Sequence, residues 1–271
     1  MFKENLQIML DQHRPLDTRL PELLRSGNRL RGLFNPIPSP AIVEMVAYAG
    51  FDFVIIDNEH GTSSFETTEQ LLRAARASGI PAMVRCLEHD IARTLDAGAG
   101  GVLVPMVNSA AQALELVRRV RYPYPDGQGG TTPGRRGSAF STRASGYGAF
   151  GGPEHTRRSN NGVALVLQVE TPQAIHDIEA IAAVPGVDAI FIGSNDLAHF
   201  MGFENRSDAP PVQEAVRHAL TVLAKAGVCS GIPAFSPADE DRYAALGARL
   251  FAGGTTGLIT AAFRQAAREG R

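Results

Sequence analysis

Two kinds of segment alternate along most of the chain, and this alternation is the strongest constraint on its fold. Short apolar runs rich in β-branched residues are separated by alanine-rich stretches whose apolar residues recur at helical spacing. Eight predicted strands alternating with eight predicted helices favour an α/β fold, a closed parallel (β/α)8 TIM barrel. The 271 residues also match the usual size of such a barrel, about 250 residues.

The predicted elements divide the chain as follows. Strands are expected at 30–35, 51–57, 81–86, 101–107, 163–169, 187–192, 228–233 and 249–253. Helices are expected at 39–49, 63–78, 88–97, 109–120, 172–183, 211–226, 236–246 and 256–269. We therefore expect one barrel domain over 1–271, with an N-terminal helical segment, 1–27, that covers the bottom of the barrel. An open doubly wound sheet is the alternative, but no G-x-G-x-x-G follows the first strand.

Composition and charge exclude several classes of protein. The net charge is -2 and the pI about 6.4, so no broad basic field attracts nucleic acid or an anionic membrane. The N-terminal residues are polar, and no apolar run approaches the roughly 20 residues of a membrane span. We expect a cytoplasmic protein in which Cys86 and Cys229 are reduced; a disulfide between them is possible but has no support.

The segment 122–162 interrupts the alternation. It is rich in glycine, proline and serine and shows no helical period. A loop of this length in a compact domain is usually a lid, a binding loop or a disordered insertion. Because it follows the fourth helix, its base is expected at the bottom of the barrel.

Polar side chains follow several of the predicted strands at the point where each strand ends. These residues are Asp57, Glu59, His60, Arg85, Gln168, Glu170, Asn195 and Asp196. Catalytic groups of such barrels lie at the C-terminal ends of the strands, so we expect these side chains to converge. Each one alone could be a solvated strand end. Several charges packed together, however, must be paired or must hold an ion.

Two groups of residues within this set suggest chemistry. Glu170 and Asp196 come from adjacent strands and suit a hard divalent ion such as Mg2+, Mn2+ or Co2+. A pair of acids bridged by Arg85 is an equally good interpretation from spacing alone. His60 with Asp57 suggests an imidazole whose tautomer and basicity are set by a carboxylate, although a structural histidine has the same pattern.

Several motifs then resemble the HpcH/HpaI aldolase family. The similarity covers roughly residues 28–263, in the family's order, through "IIDNEHG", "VR" at 84–85, "LDAGAGGVLVPMV", "RYP" at 121–123, "QVET" and "FIGSNDLAHFMG". The resemblance implies a metal-dependent (class II) aldolase that cleaves 4-hydroxy-2-oxo acids to pyruvate and an aldehyde. It also implies a homo-oligomer, a hexamer built as a dimer of trimers, with the last helix swapped between subunits.

Roles for individual residues come with the resemblance. Glu170 and Asp196 match the metal ligands, and Arg85 matches the arginine that holds the pyruvyl oxygen and stabilises the enolate. His60 and Asp57 match the dyad that moves the proton of the aldol hydroxyl. Asp96 matches an acid that reaches the neighbouring subunit's site. Substrate-binding positions are assigned to Arg85, Gln168, Gly193, Ser194 and Asn195, the last three as a turn whose N–H groups receive the substrate carboxylate.

The chain departs from the family pattern near the substrate. Asn195 stands in place of a small residue, Cys86 in place of a proline, and "DGQGGTTPG" lengthens the loop after strand 4. We therefore expect this chain to share the family's reaction on pyruvate, but we do not carry over the family's aldehyde specificity. A synthase, an oxaloacetate decarboxylase and a non-catalytic metal- or carboxylate-binding barrel remain alternatives, whereas a Schiff-base route is disfavoured because no lysine ends a strand.

One further expectation concerns subunit contacts. Arg135, Arg136 and Arg143 have no obvious partner in their own barrel, and Asp96 lies at the end opposite the site. We expect the loop 122–150 and Asp96 to pack at a subunit contact, where the insertion shapes the aldehyde pocket. A flexible surface insertion is the alternative.

Overall fold

The fold is a closed barrel of eight parallel strands. The structure is a computed structural model that describes residues 14–125 and 130–269. Each strand pairs with the next, and β8 returns to pair with β1. The strands are β1 Leu30–Asn35, β2 Phe53–Asp57, β3 Ala82–Arg85, β4 Gly101–Val104, β5 Ala164–Val169, β6 Ala189–Ile192, β7 Cys229–Pro233 and β8 Leu250–Gly254. The predicted TIM barrel is confirmed, and the open sheet is wrong.

Twelve α-helices occur in the described residues. They are α1 Leu20–Arg25, α2 Pro40–Tyr48, α3 Phe65–Ser78, α4 Ile91–Asp96, α5 Ala110–Val120, α6 Pro153–Gly162, α7 Pro172–His176, α8 Ile178–Ala182, α9 Ser194–Phe200, α10 Pro210–Lys225, α11 Pro237–Ala244 and α12 Thr255–Glu269. The predicted helix 172–183 is divided in two at Asp177. The helices α6 and α9 were not predicted; α6 falls inside 122–162 and is strongly polar, so it lacks a long apolar stripe.

Alternation along each strand sorts the core into two layers. Side chains such as Phe53, Ile55 and Met83 fill the inside of the barrel, while Val54 and Ile56 belong to the layer between strands and helices. The interior is tightly filled. A Cβ on Gly32, for example, would lie 2.3 Å from the ring of Phe53.

The two ends of the chain pack differently against the barrel. Leu20 and Leu24 of α1 belong to the interior core, so this helix closes the N-terminal end of the barrel. The last helix, α12, buries only Thr255, and its Leu258 and Phe263 are 54% and 70% exposed. A mostly apolar groove of about 610 Å³ lies beside the start of α12 and includes Leu33 and Phe251.

The described part of the long segment packs on its own barrel. The three arginines that were expected to lack partners have partners there. Arg136 Nη2 lies 3.0 Å from Asp96 Oδ1, and Arg143 Nη1 donates to the carbonyl of Ala97 at 2.7 Å. Arg135 Nη1 lies 2.9 Å from Glu115 Oε1. The expectation that these arginines lack partners is therefore wrong. Residues 126–129 of the insertion lie outside the described residues.

The structure also describes the two cysteines and the apolar character of the helices. Cys86 is buried, and burial raises the pKa of its thiol to about 12, so this residue is a small core side chain rather than a reactive nucleophile. Both cysteines are free thiols. Over 14–125 and 130–269, none of the helices has the length and apolar character needed to cross a bilayer.

Candidate active site

A cavity of about 290 Å³ opens at the C-terminal ends of the strands. Its wall combines an aromatic side with a polar side. The lining includes Phe34, His60, Arg85, Gln168, Phe191, Gly193, Ser194, Asn195, Asp196, Pro233 and Phe235. The structure thus brings together most of the residues proposed for the site.

Arg85 is fixed by a two-pronged contact with Asp57. Its Nε donates to Asp57 Oδ1 at 2.9 Å and its Nη2 donates to Oδ2 at 2.5 Å. The guanidinium also lies 4.6 Å from the centre of the Phe34 ring. Burial alone would raise the pKa of Asp57, but the hydrogen bond and charge of Arg85 outweigh it, and the pKa lies below its usual value.

His60 does not form the expected side-chain dyad with Asp57. Asp57 Oδ1 instead accepts a hydrogen bond from the backbone N–H of His60, 3.2 Å away. The imidazole is 64% exposed, and its Nε2 lies 3.8 Å from Glu59 Oε2. The carboxylate nearest the imidazole therefore belongs to Glu59, which is also 3.3 Å from Arg85 Nε. Asp57 is occupied by Arg85 because strand register places the two residues side by side on β2 and β3.

The carboxylate of Glu170 is buried just beyond the end of β5. Its Oε1 accepts from the backbone N–H of Met106 at 2.8 Å, and its Oε2 accepts from Gln168 Nε2 at 2.5 Å. The end of β6 presses against the same oxygen, since a Cβ on Gly193 would lie 2.4 Å from Oε2. Only glycine at 193 leaves room for this carboxylate.

Burial raises the pKa of Glu170 to about 7. Hydrogen bonds from Gln168 and Met106 oppose that rise, while the negative charges of Asp196 and Glu59 add to it. The described ion pairs include no cationic side chain on Glu170 or Asp196. The two acids therefore form a negative region whose charge the described side chains leave uncompensated.

The turn after β6 only partly matches its expected role. The N–H of Gly193 already donates to the carbonyl of Val169 at 3.0 Å, so it is not free for a substrate carboxylate. Ser194 and Asn195 are the first two residues of α9, and N–H groups at such positions have no partner within the helix. These two groups remain candidates to bind a carboxylate.

Comparisons with known proteins agree with this geometry. The family model described as HpcH/HpaI aldolase/citrate lyase matches residues 30–262. A hydroxypyruvate/pyruvate aldolase of Agrobacterium fabrum is 36% identical over 241 residues, covering 88% of this chain and 87% of that protein. A 5-keto-4-deoxy-D-glucarate aldolase of Klebsiella pneumoniae is 34% identical over 227 residues, covering 83% and 85%. The crystal structure of an HpcH/HpaI aldolase/citrate lyase family protein from Burkholderia cenocepacia superposes with a TM-score of 0.86 at 32% identity, covering 93% and 98%.

The chain belongs to the HpcH/HpaI aldolase/citrate lyase family. It is an aldolase, a carbon–carbon lyase that acts on small molecules. The resemblance noted in its motifs is thereby confirmed.

The donor set of this HpcH/HpaI aldolase fits a divalent cation. Among the described side chains, no group of three or more His, Cys, Asp or Glu residues is arranged to hold a metal. Two carboxylates with water or substrate oxygens are nevertheless typical of Mg2+ sites. Gln168 adds a second observation, because its buried Oε1 has no hydrogen-bond partner. Two carboxylates beside an unpartnered amide oxygen favour a hard cation over a softer ion.

Two groups of residues were placed differently from expectation or were missed. Asp96 ends α4 at the opposite end of the barrel and pairs with Arg136, so it does not line the cavity of its own chain. Glu59 is part of "DNEHG", but nothing in that string showed that it, rather than Asp57, would approach the imidazole. Met106 gave no sequence signal, since its contact with Glu170 is made by the backbone.

The raised pKa of Glu170 gives a pH-dependent stability in metal-free protein. The folded protein holds this proton up to about pH 7, whereas an unfolded glutamate releases it near pH 4.5. The free energy of unfolding should therefore fall as pH rises through this range, by up to about 3 kcal/mol for this group. Glu170→Gln cannot titrate, so urea unfolding in EDTA should show the wild type losing stability relative to this variant between pH 5 and pH 8. If the difference in the free energy of unfolding between the wild type and Glu170→Gln stays constant across that range, the carboxylate of Glu170 is not buried without a compensating charge.

Proposed function

We propose that the chain cleaves and forms 4-hydroxy-2-oxo acids, with pyruvate as one product and an aldehyde as the other. The observation that carries this proposal is the cavity itself. It places an immobilised arginine, an exposed imidazole and the carboxylate of Asp196 around one space of substrate size. The buried Glu170 lies behind this wall, against the lining residues Gln168 and Gly193. Each of these is a group that aldol chemistry on a 2-oxo acid requires.

Glu170 and Asp196 are the residues proposed to hold Mg2+, Mn2+ or Co2+. When bound, such a cation supplies positive charge beside the carboxylate and 2-oxo oxygens of the substrate. The protein holds Glu170 from both sides, through the N–H of Met106 and the amide of Gln168. Asp196 is exposed at the cavity wall, so its carboxylate can approach a ligand from the solvent side.

Arg85 is proposed to stabilise the enolate. Its described hydrogen bonds to Asp57 use Nε and Nη2, so Nη1–H groups remain to donate to the 2-oxo oxygen as negative charge develops there. Asp57 and the Phe34 ring fix the guanidinium before the substrate arrives. A donor that is already oriented does not have to reorganise during the reaction, which is the main source of such stabilisation.

His60 is proposed to take the proton from the C4 hydroxyl. In the cleavage direction, one ring nitrogen accepts that proton as the C3–C4 bond breaks. The electron pair of this bond passes to C3 and is delocalised toward the 2-oxo oxygen, and the aldehyde leaves. Glu59, 3.8 Å from the imidazole Nε2, is placed to stabilise the imidazolium that forms.

A Schiff-base route has no suitable lysine in the described chain. The one lysine among these residues is Lys225, at the end of α10. It ends the helix that precedes β7, whereas the cavity lies at the C-terminal ends of the strands, and none of the lining residues is a lysine. The enolate is therefore proposed to form without an imine.

A cytoplasmic homo-oligomer, a hexamer or a trimer, completes the proposal. The apolar side chains of α12 are exposed beside an apolar groove, so α12 of a neighbouring copy would cover this groove. Asp96 would approach a neighbour's cavity in such an assembly. Sedimentation of the full chain tests this: a monomer at micromolar concentration would contradict it.

Metal removal is the first test of the chemistry. Exhaustive treatment with EDTA should abolish the deuterium exchange of pyruvate methyl protons, and Mn2+, Co2+ or Mg2+ should restore it. Glu170→Gln and Asp196→Asn should each lose the response to added metal. Glu214→Gln, on the exposed face of α10, is the matched control. Full exchange by the chelated wild type would refute the metal-dependent route.

Arg85→Lys keeps the positive charge but loses the planar fork that matches a carboxylate. We expect kcat for cleavage to fall by about 100-fold or more, which is the scale of losing one donor to a developing oxyanion. Pyruvate deuterium exchange should fall in parallel. The exposed Arg29 provides the control substitution Arg29→Lys. If exchange by Arg85→Lys equals that of the wild type, Arg85 does not stabilise the enolate.

His60→Ala should reduce carbon–carbon cleavage far more than it reduces decarboxylation of oxaloacetate. Both reactions produce the same enolate, but only cleavage requires removal of a hydroxyl proton. Glu59→Gln should follow the same pattern more mildly because it acts through the imidazole. His199→Ala, an exposed histidine of α9 outside the cavity, is the control. Equal losses in the two reactions would show that His60 does not handle this proton.

A further inference from the structure

Met106 has an unusual backbone conformation just after β4. Its φ is +59°, in the left-handed region that a residue with a side chain rarely adopts. Among the described residues, Tyr147 and Glu204 are the other non-glycine residues with positive φ, and neither lines the cavity. Such a conformation persists only where surrounding contacts fix it.

This conformation directs one peptide group into the site. The N–H of Met106 donates to Glu170 Oε1 at 2.8 Å. The next residue returns to the regular barrel pattern, because the N–H of Val107 donates to the carbonyl of Gln168 at 3.0 Å. A single residue in the left-handed conformation thus turns its N–H toward the carboxylate without ending the contact between the β4 and β5 segments.

Asn108 holds the other side of the same residue. Its Nδ2 donates to the carbonyl of Met106 at 2.9 Å. Asn108 is itself fixed at two points: its N–H donates to Gln112 Oε1 at 2.9 Å, and its Oδ1 accepts from the Thr171 hydroxyl. Thr171 directly follows Glu170, so the side chain of Asn108 connects the segment after β4 to the segment that carries the carboxylate.

The remaining sides of Glu170 leave it little freedom. Gln168 Nε2 donates to Oε2 at 2.5 Å, and Gly193 approaches so closely that a Cβ would lie 2.4 Å from that oxygen. The hydrogen bond from the Met106 N–H is therefore the contact that fixes the position of Glu170 Oε1. Because the N–H of Val107 is fixed to the carbonyl of Gln168, a change of Met106 to an ordinary φ would rotate the preceding peptide group and turn the Met106 N–H away from Glu170.

We propose that Asn108 is a positioning residue for the cation-binding carboxylate. It stabilises the left-handed conformation of Met106, and the Met106 N–H then orients Glu170. Asn108 does not line the cavity, so its effect reaches the site through the backbone. This inference rests on the proposed function, because it assumes that Glu170 binds a divalent cation.

A double-mutant cycle on the full chain tests this route. The measured quantity is the dissociation constant for Mn2+, followed by the electron paramagnetic resonance of the free ion. Asn108→Ala should weaken binding about fivefold to tenfold, the effect of one hydrogen bond. Glycine adopts positive φ without strain. In a Met106→Gly background, the further substitution Asn108→Ala should therefore change the dissociation constant for Mn2+ by less than about twofold.

Asn160→Ala is the matched control. The side-chain amide of Asn160 also binds the backbone of another residue: its Oδ1 accepts from the N–H of Tyr122 and its Nδ2 donates to the Tyr122 carbonyl. It does so away from the cavity, so its loss should leave Mn2+ affinity unchanged. Thermal unfolding of each variant reports whether the fold is retained.

Three results would overturn the inference while leaving the proposed function in place. They are an unchanged Mn2+ affinity in Asn108→Ala, the same loss in the presence and absence of Met106→Gly, and an equal loss in Asn160→Ala. A wild-type protein that binds no Mn2+ would instead refute the cation-binding role of Glu170, and the inference with it. The variants and the wild type together therefore distinguish a failure of the inference about Asn108 from a failure of the proposed cation-binding role of Glu170.

Discussion

A buried carboxylate with no cationic partner is the constraint on which the site depends. Ionising Glu170 in its surroundings is costly, as the rise of its pKa to about 7 shows. The described contacts compensate it only with neutral donors, the Met106 N–H and the Gln168 amide. Either a proton or a cation must therefore balance the charge. The negative charge of Asp196 adds to that of Glu170, and Gly193 leaves room for the buried carboxylate.

Arg85 illustrates the opposite solution, a buried charge that is fully paired. Strand register places Asp57 and Arg85 at neighbouring positions of β2 and β3, and their side chains meet in two hydrogen bonds. The pair is thus part of the barrel framework rather than a flexible surface contact. One consequence is that the arginine is oriented without substrate. Another is that Asp57 is not available to the His60 imidazole, and Glu59 occupies that position.

The sequence predicts the fold and the convergence of the site for one physical reason. Alternation along parallel strands puts Asp57, Arg85, Gln168 and Glu170 on the inner face at the same end, and this pattern is visible without coordinates. Which side chains then pair depends on register between strands, which the pattern does not contain. The contact of Asp57 with Arg85 was missed for that reason. The amide of Met106 was missed because a backbone N–H and a positive φ carry no side-chain signal.

The residues proposed to bind the 2-oxo acid and the residues near the opening of the cavity lie in different surroundings. Groups proposed for the 2-oxo acid are buried or nearly so, as Glu170, Gln168 and Arg85 show. The residues nearest the opening are exposed, with His60 at 64% for its side chain and Phe235 at 73%. The described part of the long segment does not close this opening, because Arg136 and Arg143 bind it to α4 and to Ala97 at the other end of the barrel. In the proposed homo-oligomer, another copy of the chain is therefore expected to enclose the aldehyde, whereas the groups proposed for pyruvate all belong to one subunit.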